Sequence, residues 1–77
     1  MDYHIIYLEE EMLLSRKNYA DWRQIQNEFK NYKASLGPWS DENILSYLEE
    51  EHPDLLDKYK EQLDSFFKSN QESFVLA

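Results

Sequence analysis

No cysteine occurs anywhere in the chain. That excludes disulfides, thiolate metal ligands and a cysteine nucleophile. A secreted domain of 77 residues would ordinarily be stapled by disulfides, so their absence points to a reducing, cytoplasmic setting. Glycine occurs once, at Gly37, which leaves no glycine-rich loop to cradle phosphates. No stretch approaches the ~20 apolar residues that span a bilayer. The opening Met1-Asp2-Tyr3, with three glutamates by residue 11, lacks the basic start and apolar middle of a signal peptide. Basic residues are scarce as well. Eight Lys and Arg face sixteen Asp and Glu, a net charge of −8. Such a chain repels nucleic acid and anionic membranes and suits basic partners.

Large side chains are plentiful. Four Phe, six Tyr and two Trp allow a small core without staples. The length fits one domain, expected over residues 1–72, with 73–77 as a short apolar tail. Charge is uneven along it. Residues 1–15 sum to −4, 16–40 to +3, 41–64 to −7 and 65–77 to zero. The second half is therefore the main source of negative field.

The expected fold is all-α, a compact bundle of three to four antiparallel helices over 3–17, 19–36, 41–52 and 53–69. Trp22, Ile25, Phe29, Tyr32 and Leu36 recur every three or four residues, which predicts a helix ending at the Gly37-Pro38 break. Ser40 suits an N-cap, with Trp39 and Ile44 at staple spacing. Pro53 suits the first turn of a last helix. Leu55, Leu56, Tyr59, Leu63, Phe66 and Phe67 then form its apolar face. The N-terminal stretch has two readings. Its apolar residues cover almost every side of a helical wheel, as in a central helix. Tyr3–Leu8 alone also suits a short strand. The helix over 3–17 is preferred because Glu9–Leu14 are good helix formers. Whether it continues through Asn18 to Leu36 is open. The predicted core joins Trp22, Ile25, Phe29, Tyr32, Trp39, Leu48, Leu55, Leu56, Tyr59, Leu63 and Phe66.

The pentapeptide YLEEE occurs twice, at Tyr7–Glu11 and Tyr47–Glu51. The flanks do not match at that offset, so the repeat is not read as a duplicated unit. On a helix, three successive glutamates point about 100° apart and cannot converge on one centre. Glu49-x-x-His52 has the spacing of a di-iron half-motif, but such sites use two motifs and further glutamates. No metal ion and no cofactor is expected. His4 reads as a hydrogen-bonded histidine at the core edge. With no cysteine and two distant histidines, no nucleophilic site has its parts, and no enzyme is expected. Arg16, Lys17, Arg23, Lys30 and Lys33, with Tyr19, Trp22 and Tyr32, outline a basic patch. Its aromatics lie at core spacing, so internal pairing is the preferred reading over direct nucleic-acid contact.

Asp54, Asp57, Glu61 and Asp64 advance along one helix face at roughly 5 Å per turn. Asp41, Glu42, Glu49, Glu50 and Glu51 lie just upstream. A row of carboxylates can address the groove that a basic protein offers to phosphates. These nine residues are the candidate partner-binding set. The functional expectation is a non-catalytic acidic binding module that occupies a basic protein surface, such as that of a nuclease or another nucleic-acid-binding protein. In its most specific form it is an inhibitor acting as a partial DNA or RNA mimic. Phage-encoded anti-defence proteins of small size and acidic charge share this physics. The alternative is an assembly subunit, a homodimer for instance, docking through the apolar N-terminal helix and C-terminal tail.

Overall fold

The computed structural model describes residues 2–76. It is an α+β fold, and the all-α bundle expected from the periodicities is incorrect. Strands β1 (Tyr3–Leu8), β2 (Met12–Ser15), β3 (Tyr32–Trp39) and β4 (Ser73–Val75) form one antiparallel sheet in the order β3-β1-β2-β4. Helices α1 (Trp22–Glu28), α2 (Asp41–Glu51) and α3 (Pro53–Lys68) pack on it. The connections explain the layering. The chain crosses one sheet face through α1 between β2 and β3, and the other through α2 and α3 between β3 and β4.

The N-terminal stretch is a hairpin rather than a helix. Its side chains alternate between two covered faces. Tyr3, Ile5, Met12 and Leu14 join Ile44, Leu48, Leu63, Phe66 and Leu76 in the larger core. Ile6, Leu8 and Leu13 join Ile25 in a smaller one beneath α1. Because both faces are buried, the alternation of polar and apolar residues that marks a half-buried strand is missing. The run looks equally like a buried helix. Glu9–Glu11 form the turn, closed by Leu8 N–H donating to Glu11 O at 2.8 Å.

The helix expected over 19–36 is also incorrect. Asp21 caps α1, its Oδ1 accepting from the N–H groups of Arg23 (2.9 Å) and Gln24 (3.3 Å). The helix ends at Glu28, and Phe29 is already extended. Edge strand β3 follows. Gly37 and Pro38 lie inside it, not between two helices. The pairing Tyr3↔Trp39 and Ile5↔Leu36 leaves one residue of β1 opposite two of β3, a bulge. Gly37 has φ +121 there, and a Cβ at that position would lie 2.6 Å from Tyr3 O. Pro38 is tolerated because an edge strand needs no donor on its outer side.

The last two helices form as their caps predict. Ser40 Oγ accepts from Asn43 N–H at 3.3 Å. His52 closes α2 through its N–H to Leu48 O (2.8 Å) and opens α3 by accepting from Leu56 N–H (3.1 Å). Pro53 occupies the first turn. Arg16 closes the other end of α3. Its guanidinium donates to Ser69 O at 2.7 Å and to Phe66 O, and stacks 4.5 Å from the Phe66 ring. A cation suits the negative end of the helix. Beyond it, β4 pairs with β2 and Leu76 is fully buried. Most of the apolar surface behind the assembly alternative thus lies inside this core, although Phe74 is only partly buried and Val75 is exposed.

Four of the eleven residues predicted for the core are fully inside it. Ile25, Leu48, Leu63 and Phe66 are buried. Phe29, Tyr32, Trp39, Leu55, Leu56 and Tyr59 sit at its margin, and Trp22 is 52% exposed. Among the described residues, no helix is long and apolar enough to cross a membrane.

Candidate partner-binding face

All nine candidate carboxylates lie on α2 and α3, and every one is exposed. Among the described residues they enter one ion pair, Asp64 Oδ2 with Lys68 Nζ at 3.0 Å. That pair is itself solvated and contributes little. The two helices leave an open groove of about 1060 Å³ between them on the side away from the sheet. Glu49, Asp57, Glu61 and Asp64 line it. Asp41, Glu42, Glu50, Glu51 and Asp54 do not, and stand elsewhere on the same helices. Asp41 and Glu42 occupy the first turn of α2, where the helix dipole favours negative charge.

The groove is not simply acidic. Leu45 from α2 and Pro53, Leu56 and Phe67 from α3 reach it, as does Lys60. The three larger apolar side chains are only partly buried. The α3 contributors at 53, 56, 57, 60, 61, 64 and 65 follow a helical period, so one side of the helix faces the groove along about three turns. Sequence reasoning identified the carboxylates, assigned Leu56 to the core and placed Phe67 on the apolar face of the last helix. It missed the groove because a gap between two helices depends on how they pack, which periodicity does not report.

No protein-family model matches the chain, and no curated protein or solved structure does either. The candidate site therefore rests on geometry alone.

A polar cluster lies where α2 meets the sheet. Tyr7 and Tyr47, the tyrosines of the two YLEEE copies, are 2.6 Å apart at their hydroxyls. Tyr7 Oη is also 3.0 Å from His52 Nε2, and the Tyr47 ring packs on Trp39 at 5.3 Å. Burial, aided by the hydrogen bond between Tyr7 and Tyr47, pushes the Tyr7 phenol well above its ordinary value of 10. It stays protonated at neutral pH. His52 is thus held by a phenol from β1, not paired with Glu49. Among the described residues, no group of three or more acidic or histidine side chains is placed to share a metal ion.

The expected basic patch is engaged internally only in part, since Lys30 and Lys33 are exposed and enter no ion pair among the described residues. Lys17 pairs with Glu28, which also accepts from Tyr19 Oη at 2.7 Å. The Lys17 hydrogen bond, then that of Tyr19, holds the Glu28 carboxyl below its usual range. Arg16 serves α3. Arg23 lies over the ring of exposed Trp22 at 5.4 Å. His4 stacks edge-on against Tyr19 at 5.3 Å. Its Nδ1 is buried and has no hydrogen-bond partner among the described residues, contrary to the hydrogen-bonded histidine expected there. Burial lowers its pKa and favours the neutral ring.

Proposed function

We propose that this protein is a non-catalytic binding module that occupies a basic, nucleic-acid-contacting surface of a partner protein, as a partial DNA or RNA mimic. The observation that carries this reading is the outer layer formed by α2 and α3. Nine exposed carboxylates stand on two helices, and among the described residues a single lysine pairs with one of them. Helices hold their charges without the entropy cost that a flexible acidic tail would incur on binding. A cytoplasmic setting fits a chain without cysteine.

The test is competition. The protein is added to complexes between basic DNA-binding proteins, nucleases among them, and labelled DNA, and release of the DNA is followed by anisotropy. Release from a specific partner is expected. The triple reversal Asp57→Lys, Glu61→Lys and Asp64→Lys is expected to abolish it while circular dichroism stays unchanged. Equal potency of this variant would reject the assignment of the acidic face.

A further inference from the structure

We infer that the groove between α2 and α3 receives a basic amphipathic helix of the partner, an inference that rests on the reading above and specifies its contact. Two features of the groove point to this chemistry. The first is its floor. Leu45, Leu56 and Phe67 are only partly covered by the protein's own packing and reach an open groove of about 1060 Å³. A purely electrostatic contact with a flat basic surface would leave that apolar area wet, whereas an apolar side chain seated on it removes both surfaces from water.

The second feature is the spacing of the charge. Asp57, Glu61 and Asp64 recur at intervals of four and three residues along one side of the groove, about 5 Å per turn. A helix lying alongside α3 presents its own residues at the same period. Lys or Arg at positions one turn apart would each meet a carboxylate, and Glu49 on α2 supplies one from the facing wall. Apolar residues between them would point at the floor. The α3 wall from Pro53 to Asp64 extends about 17 Å, which matches three turns of such a helix. Lys60 is the one cation lining the groove among the described residues, and it opposes this occupant.

The test uses two synthetic peptides of identical composition, built from Leu, Ala, Lys and Arg. One places its leucines on a single helical face flanked by the cations. The other permutes the same residues so that no face forms. The patterned peptide is expected to bind about tenfold more tightly at about 0.15 M salt, because it seats at least one apolar side chain on the floor. It should gain helical circular dichroism on binding. Ser65→Tyr, an exposed substitution that crowds the groove without changing charge, should bring its affinity down to that of the permuted peptide. Lys60→Ala should tighten both peptides. Equal binding of the two peptides, with no effect of Ser65→Tyr, would overturn the helix inference while leaving the basic-partner reading intact. No binding of either peptide even at low salt would overturn both.

Discussion

Tyr7 and Tyr47 hold the same place in two identical pentapeptides, and they meet phenol to phenol. One copy ends a strand and turns, and the other is helical. In both, the leucine is buried and the glutamates are exposed. Local sequence therefore sets which side chains go inward here, while the surroundings set the backbone. Replacing Tyr7 by Phe removes contacts to Tyr47 and His52 and is expected to cost about 1–2 kcal/mol by urea unfolding. Its phenol titrates above the ordinary value, so this stabilisation is complete below about pH 10 and is lost as pH rises past it. The wild type should therefore lose stability more steeply than Tyr7→Phe once the pH rises above about 10. Gly37 offers a second test. Its positive φ and the 2.6 Å approach to Tyr3 O leave no room for a side chain. Gly37→Ala is expected to lower stability by about 1–3 kcal/mol, measured the same way.

Among the elements, α2 and α3 were legible because their signals are local. Ser40 caps, Pro53 starts a helix, and the α3 apolar set keeps a clean period. The sheet was hidden for two physical reasons. Strand β1 is buried on both faces, so it shows no alternation. In β3, Tyr32 and Leu36 are four residues apart, the spacing of one helical stripe. They face opposite sides of the sheet instead, because the register slips between them, at the step from Tyr7 to Leu8 on the partner strand. Tyr32 packs with the α1 core and Leu36 with the larger one. A bulge thus imitated a helical period. The short strand β4 carried too few residues to announce itself, yet Leu76 just beyond it is wholly buried and its N–H donates to Met12 O at 2.7 Å. Leu76→Ala should cost about 2–5 kcal/mol in thermal or urea unfolding. That is a large part of the 5–15 kcal/mol typical of a small domain. A loss under 1 kcal/mol would show that β4 adds little to the fold.

For the whole molecule, the sheet separates two electrostatic characters. Residues 41–64, on α2 and α3, sum to −7, while residues 16–40, carrying α1 and edge strand β3, sum to +3. The acidic half of the candidate site was legible from sequence, since carboxylates at helical spacing before and after Pro53 need only the helices to be real. The groove was not, because it belongs to neither helix alone. A molecule with this polarity should approach a basic partner in one orientation, acidic layer first. The most direct measurement of the central claim is the dissociation constant for a partner identified by DNA competition, followed across salt concentrations by isothermal titration. Affinity should fall steeply and linearly on a log–log plot as salt rises, with a shallower slope for the single reversal Asp57→Lys. An affinity that stays constant from low to high salt, or a slope that the reversal leaves unchanged, would contradict the claim.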